Sequence, residues 1–432
     1  MAAISIRTEI PGPRSRALMR RRAAAVPRGV AHAAPVFAAS ADGVRVTDVD
    51  GNVYLDFAGG IGVMNVGHSA PSVVAAVGRQ AERLTHVCFA VQPYESYVAL
   101  AERLAALTPG RFAKKTLLVN SGAEAIENAI KIARHATGRP GVLCFEDAFH
   151  GRTLLALSLT SKVAPYKLGF GPFVPDVVRV PYAYCYRCAY HTEHPDCAVA
   201  CVDAIERQFQ RHVDPRTIAA VVVEPVLGEG GFVVPPIGYL SKLAALCRRH
   251  GIVLIVDEVQ TGFGRTGRMF ACEHDGVEPD LLVAAKSLAA GLPLAAVIGR
   301  AELMDSPVEG GLGGTYGGNP IACAAEAIGA RIEARAREWA RSCPLVGDVR
   351  RRGAMVGVEL VTNRETREPA KRETEEIIRL ACERGVLMIA AGTFGNVILF
   401  LTPLTITNDE LDEGLEVLSE SVRAVTSQLA AR

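Results

Sequence analysis

The sequence predicts an α/β protein: a large domain built on a mostly parallel sheet covered by helices, and a smaller α+β domain assembled from both chain ends. Three observations carry this. Short apolar runs alternate with amphipathic, helix-length segments through the middle of the chain, the pattern of parallel strands joined by crossover helices. Five of those runs end in polar or glycine-rich residues. After about residue 320 the pattern changes to helix, strand, charged helix and strand.

In chain order, residues 1–65 read as an N-terminal arm and part of the small domain. Strands are expected at Val44–Val49 and Val53–Phe57, with a turn at Asp50-Gly51-Asn52 between them. The first thirty residues are rich in arginine (Arg14, Arg16, Arg20, Arg21, Arg22) but also carry Glu9, Pro11, Pro13 and Pro27 and no apolar centre. They are therefore read as an arm packed on the body and not as a targeting peptide. Residues 66–320 form the large domain. Its strands are Thr116–Val119, ending in Asn120-Ser121-Gly122; Val142–Phe145, leading to Phe149-His150-Gly151-Arg152; Ala219–Val223, ending in Glu224; Ile252–Val256, ending in Asp257; and Leu281–Ala285, ending in Lys286. Residues 321–432 complete the small domain, with strands at Met355–Val361 and Asn396–Leu401 and a helix from Glu373.

The chain has 432 residues, of which 22% are charged, and its 47 basic residues nearly balance 46 acidic ones. A nucleic-acid partner usually demands a basic excess, so none is expected. No apolar run reaches the ~18 residues needed to cross a bilayer, and no membrane role is expected. The 11 cysteines are an odd number scattered along the chain, which suits reduced thiols in the cytoplasm. Cys185, Cys188, Cys197 and Cys201 stand apart as a four-thiol cluster with spacing that admits a structural zinc; the competing reading is a surface insertion with free thiols. No metal is assigned a catalytic role.

Five strand ends carrying such groups mark a site, because ligands of open α/β sheets bind at the carboxyl edge. Asn120-Ser121-Gly122-Ala123-Glu124-Ala125 opens a helix whose buried face is Ile126, Ala129, Ile130 and Ala133, and which Gly138 and Pro140 end. Ser121 and Glu124 have capping-box spacing, and the open first-turn amides at the positive end of the helix dipole suit a phosphate. Asp257 follows a wholly apolar strand, where a carboxylate is costly unless it meets a cation. Lys286 follows another, and burial lowers a lysine's pKa, giving the neutral amine that a Schiff base needs. A phosphate cradle, a buried carboxylate for a ring nitrogen and a desolvated lysine together fit pyridoxal phosphate.

The run Leu254-Ile255-Val256-Asp257-Glu258-Val259-Gln260-Thr261-Gly262-Phe263-Gly264-Arg265-Thr266-Gly267, with Ala285-Lys286-Ser287, resembles the class III aminotransferases. With Ser121-Gly122-Ala123-Glu124-Ala125, Phe149-His150-Gly151-Arg152-Thr153 and Gly314-Thr315-Tyr316-Gly317-Gly318-Asn319-Pro320, it is most similar to the 4-aminobutyrate aminotransferase branch, over residues 25–425. The resemblance implies a fold-type-I pyridoxal-phosphate transferase that moves an amino group between an amine donor and a carbonyl acceptor. It implies a homodimer with shared active sites, and leaves open whether two dimers form a tetramer.

Carried over by motif, Lys286 would form the internal aldimine and Asp257 would pair with the ring nitrogen. Ser121, Gly122 and Ala123 would hold the phosphate, Phe149 would stack on the ring beside His150, Gln260 would meet the phenolic oxygen, and Glu224 and Val259 complete the cofactor set. Thr315 would reach the phosphate bound by the neighbouring subunit. Ile61, Phe89, Arg152, Glu224 and Glu229 would line the substrate pocket, with Arg152 receiving a distal carboxylate; the bland alternative for Arg152 is an ion pair with one of the two glutamates.

The sequence departs from that branch in four places. Leu399, in Asn396-Val397-Ile398-Leu399, stands where an arginine grips the α-carboxylate of amino acids. Ala90, after Phe89, replaces a glutamine. The chain between Asn319 and Gly347 is about seventeen residues short, implying a truncated helix. Arg350-Arg351-Arg352-Gly353 replaces an Arg-Gly-x-Gly turn, which would be costly if the lost glycine needs a positive φ. The first two changes make the pocket less polar, and point to a substrate without an α-carboxylate. Two other functions remain open on the sequence: a racemase, decarboxylase or aminomutase on the same scaffold, and a catalytically silent binding relative.

Overall fold

The computed structural model describes residues 3–324 and 345–430, and the chain divides into two units, Met1–Pro71 with Ala327–Arg432, and Ser72–Glu326. The larger unit is organised by a seven-stranded sheet in the order Lys114–Val119, Ala295–Arg300, Leu281–Ala284, Val253–Asp257, Ile218–Val223, Gly141–Phe145, Val177–Val180. Ala295–Arg300 runs antiparallel to both its neighbours and the other pairings are parallel.

Near-continuous Val/Ile/Leu/Ala runs form these strands because both faces of the sheet are covered. Successive side chains point to opposite faces, so the apolar residues sort into two cores. Leu143, Phe145, Val221, Val223, Leu254, Val256, Leu282 and Ile298 face one core, with Leu240, Leu243 and Leu246 of the helix Tyr239–His250. Val142, Cys144, Ala220, Val222, Ile255, Val283 and Val297 face the other, with Ile126, Ile130 and Ile132 of the helix Gly122–Thr137. Those three isoleucines are fully buried, at roughly 1.5–3 kcal/mol each. The five expected strands are all present with ends displaced by a residue or two. The sequence reading did not single out Val177–Val180 or Ala295–Arg300.

The smaller unit holds a four-stranded sheet, Ala38–Asp42, Arg45–Asp48, Val53–Asp56 and Val386–Leu387, and a five-stranded one built on Val346–Arg352, Met355–Asn363, Val397–Phe400 and Ile389–Ala391. Its core gathers Leu55, Phe57, Val356, Val358, Ile398 and Phe400 with the helices Lys371–Glu383 and Asn408–Ala430. The N-terminal arm packs on this unit. The Asn52 side chain accepts from the amides of Arg7 and Thr8, at 2.7 and 3.0 Å, and Asp50 accepts from those of Arg14 and Ser15, at 2.7 and 2.8 Å. The expected turn at residues 50–52 is thus also the anchor of the arm.

One expectation changes here. Arg351 and Arg352 lie in regular strand register opposite Val356 and Met355; only Gly353, at φ 58°, is left-handed. The arginine that replaces a glycine therefore carries no backbone strain. Arg350 makes a buried ion pair with Glu359 at 2.7 Å and a second with Asp348 at 2.8 Å. The shortened segment between Asn319 and Gly347 lies largely outside the described residues.

Candidate active site

At the carboxyl edge of the large sheet, neighbouring strands deliver Glu224, Asp257 and Lys286. The Asp257 carboxylate is buried and bonds the Nδ1 of His150 at 2.8 Å, while its other oxygen accepts from the Val259 amide at 3.0 Å. His150 is buried as well, and its Nε2 has no partner among the described residues. Lys286 sits at φ 43°, a left-handed conformation that is rare for a non-glycine residue. Burial pushes its pKa down, opposed by the charges of Asp257, Glu224 and Glu229, so all three carboxylates lie within electrostatic reach of its amine.

Glu224 accepts from the amides of Phe149 at 2.9 Å and Gly228 at 2.8 Å. Burial raises its pKa to about 7, with His150 opposing and Asp257 reinforcing. One buried carboxyl group thereby ties the Phe149 loop to the loop that carries Glu229.

The helix Gly122–Thr137 aims its N-terminus at this edge. Ser121 caps it, accepting from the Glu124 amide at 3.3 Å. The reciprocal half of the expected capping box is shifted by one residue: the Glu124 carboxylate accepts from the amide and side chain of Asn120, each at 2.9 Å. The amides of Gly122 and Ala123 are first-turn donors without an intrahelical acceptor. Close approach governs the surroundings. A Cβ on Gly122 would lie 3.0 Å from both Val259 methyls; one on Gly151 would lie 2.5 Å from the Ala123 Cβ; and one on Gly228 would lie 1.9 Å from Oε1 of Gln260. The helix N-terminus, the Phe149-His150-Gly151 segment and the Val259-Gln260 turn thus converge.

The mouth of this site holds two residues that the sequence motifs missed. Tyr166 donates to Oε1 of Glu229 at 2.8 Å, and Lys162 Nζ lies 3.3 Å from the same oxygen. The Arg152 guanidinium lies 4.5 Å from the Tyr166 ring centre, and the Phe149 ring packs edge-on against it at 5.2 Å. Glu229, which the alternative reading paired with Arg152, therefore bonds Tyr166 and Lys162. Among the described residues no carboxylate pairs with Arg152. Tyr166 and Lys162 lie in an irregular stretch around the five-residue turn Val163–Lys167, where no periodicity flags them.

Phe89 stacks on Tyr97 at 3.9 Å and meets Tyr94 edge-on at 5.4 Å, within an aromatic cluster. Thr315 is exposed. In the smaller unit, Ile61 is exposed at φ 65° in a turn whose Gly59, Gly60 and Gly62 are also left-handed. Leu399 is buried in the strand Val397–Phe400, opposite Gly357 and Ile389. Among the described residues no three His, Cys, Asp or Glu side chains gather as a metal site, and Cys185, Cys188, Cys197 and Cys201 lie within electrostatic reach of one another. Cys188 meets the Thr192 hydroxyl at 3.4 Å, and burial pushes the Cys201 thiol up to about 11.

A buried carboxylate, a desolvated lysine and an open helix N-terminus, crowded together by glycines that admit no Cβ, fit the ring nitrogen, aldehyde and phosphate of pyridoxal phosphate. The fold and site define a pyridoxal-phosphate enzyme. The sequence profile described as Aminotransferase class-III matches residues 25–422, and the chain belongs to that family. It is 50% identical to the 4-aminobutyrate aminotransferase of Mycobacterium tuberculosis (strain ATCC 25618 / H37Rv), covering 95% of this chain and 96% of that one. It is 47% identical to the 5-aminovalerate aminotransferase of Pseudomonas aeruginosa, covering 93% and 97%. Among solved structures it resembles an amine transaminase from an uncultivated Pseudomonas species in its PLP-bound form, with TM-score 0.83, 30% identity, and 93% and 96% coverage. The chain is a pyridoxal-phosphate-dependent aminotransferase. Among the described residues no helix is long and apolar enough to cross a membrane.

Proposed function

We propose that the amino donor is an ω-amino acid: an amine whose own carbon bears no carboxylate and whose far end does. The observation that carries this is Arg152, which presents a guanidinium without a carboxylate partner among the described residues, beside Phe149. A planar fork of donors suits a carboxylate. Leu399, where the family resemblance places an arginine for α-carboxylates, offers no such bond, and its aliphatic side chain disfavours a charged group nearby. The relatives named for 4-aminobutyrate and 5-aminovalerate support the same class.

Bound pyridoxal phosphate supplies the carbonyl that takes the amino group and an electron sink for the carbon beside it. In this reading Asp257 keeps a proton on the ring nitrogen and His150 fixes the Asp257 carboxylate. The Lys286 amine, whose charged form burial disfavours, would take the proton from the donor's amine-bearing carbon and return it at the exchange site. Ser121 and the Gly122 and Ala123 amides receive the phosphate, Phe149 and Val259 enclose the ring, and Gln260 donates to its phenolic oxygen. Glu224 holds the Phe149 loop, and Glu229 and Phe89 serve the substrate side. Thr315 serves the site of a second subunit, which makes the working unit a homodimer; pairing of two dimers is the further step that sedimentation would detect. A cytoplasmic location follows from the cysteines, all free among the described residues.

The test is a half-reaction followed by absorbance, as the enzyme's pyridoxal form converts to the pyridoxamine form. Conversion by 4-aminobutyrate or 5-aminovalerate, with little by glutamate, is expected. Rapid conversion by glutamate would refute the Leu399 argument. No conversion by any amine, with cofactor bound, would replace this reading with a racemase, decarboxylase or aminomutase.

A further inference from the structure

We infer that Tyr166 is a positioning residue that sets the enzyme's affinity for a distal carboxylate, by holding the Glu229 carboxylate off the Arg152 guanidinium. The inference rests on the proposed role of Arg152. Tyr166 touches every other member of the group. Its hydroxyl donates to Glu229 at 2.8 Å, its ring carries the Arg152 guanidinium at 4.5 Å, and its edge packs against Phe149 at 5.2 Å. Lys162 reaches the same Glu229 oxygen at 3.3 Å, and its ammonium lies 5.8 Å from the Tyr166 ring centre.

Arg152 and Glu229 both contact Tyr166, one at its ring and the other at its hydroxyl, and a fork of N–H groups and a carboxylate form some of the strongest side-chain hydrogen bonds. Here the phenol and Lys162 satisfy Glu229, and the guanidinium interacts with the phenol and pairs with no carboxylate among the described residues. Burial and the Glu229 charge both raise the phenol's pKa, so it stays a donor throughout the neutral range. Removing that donor frees Glu229 to compete with substrate for Arg152. The competition weakens binding of a carboxylate substrate, and reaches Lys286 only through the longer-range charge of Glu229.

The experiment compares Tyr166→Phe, Glu229→Gln, the double variant and Arg152→Ala in the holoenzyme. It reads the apparent dissociation constant and the limiting rate of the half-reaction with 4-aminobutyrate. Tyr166→Phe should raise the dissociation constant tenfold or more and shift the limiting rate much less. The double variant should recover most of that loss, since the competing charge is gone. Glu229→Gln alone should bind 4-aminobutyrate at least as tightly as the parent, which keeps the test decisive should Tyr166→Phe fold poorly. An unchanged dissociation constant in Tyr166→Phe, no recovery in the double variant, or weaker binding in Glu229→Gln would each overturn the inference while the role of Arg152 stands. An Arg152→Ala enzyme that binds 4-aminobutyrate as well as the parent would overturn the proposed function, and this inference with it.

Discussion

Replacing Gly151 by alanine tests whether the Phe149-His150-Gly151 segment is docked on the phosphate-binding helix. Gly151 has φ 131°, and an added Cβ would lie 2.5 Å from the Cβ of Ala123, 2.9 Å from its Cα and 3.1 Å from the Cβ of Ala156. Two costs combine. A side chain at that backbone angle costs about 1–3 kcal/mol. Overpacking against a backbone carbon, which no rotamer change relieves, costs about 1–3 kcal/mol more. Relief requires the segment to retreat by about 1 Å, and a displacement of that size at a catalytic constellation costs about 100-fold in rate.

The expected result is a melting temperature lowered by roughly 5–15 °C for a domain of this size. Affinity for pyridoxal phosphate, titrated by absorbance, should weaken tenfold or more. Gly138→Ala is the control. Its φ of 67° is also left-handed, but a Cβ there meets nothing within 4 Å. It should lose about 1 kcal/mol and bind the cofactor normally. A Gly151→Ala enzyme that melts and binds cofactor like the Gly138→Ala control would refute the docking.

If Asp257 holds a proton on the ring nitrogen as proposed, Asp257→Asn should lower kcat at least 100-fold in steady-state assay while the fold persists by circular dichroism. Glu224→Gln tests a linkage whose sign is fixed by the raised pKa. The folded protein holds the Glu224 proton up to about pH 7 while the unfolded chain, with the ordinary glutamate value of 4.5, releases it earlier. The parent's stability relative to the variant should therefore fall as pH rises from about 4.5 to about 7, measured by urea denaturation. Arg350→Met leaves Glu359 charged and buried, and should cost about 3–5 kcal/mol of stability by denaturant titration.

The parts of this molecule legible in the sequence are those where one physical cause dominates. Buried strands announce themselves as apolar runs, and their ends as the abrupt polar residues Glu224, Asp257 and Lys286. Capping at Ser121 follows from residue type alone, although Glu124 serves Asn120 because its carboxylate finds two donors there. The Tyr166 group was not legible. Its members come from the loop after Phe149, the irregular stretch at 162–166 and the loop after Glu224, and only folding brings them together. The fear of strain at Arg351 failed because the strand Val346–Arg352 extends through that position and leaves the left-handed turn to Gly353.

The charges around Lys286 pose a problem that Glu224 partly resolves. A lysine that must act as a base needs to be neutral, and burial favours that; yet Asp257, Glu224 and Glu229 all pull toward the charged form. Asp257 cannot be dispensed with, since it answers to His150 and to the ring nitrogen. Glu229 is balanced by the cation of Lys162 at 3.3 Å. Glu224 has no cation within bonding distance among its hydrogen-bond partners, only two amides, and its pKa of about 7 leaves it largely neutral in mildly acidic solution. Ionising Glu224 strengthens the hold of a proton on Lys286, so the two groups release their protons in opposition. Glu224→Gln removes the opposing charge, and the kinetic pKa assigned to the Lys286 amine in the half-reaction should therefore move down in that variant. An upward shift would mean that Glu224 acts on the lysine through the Phe149 loop and not through its charge.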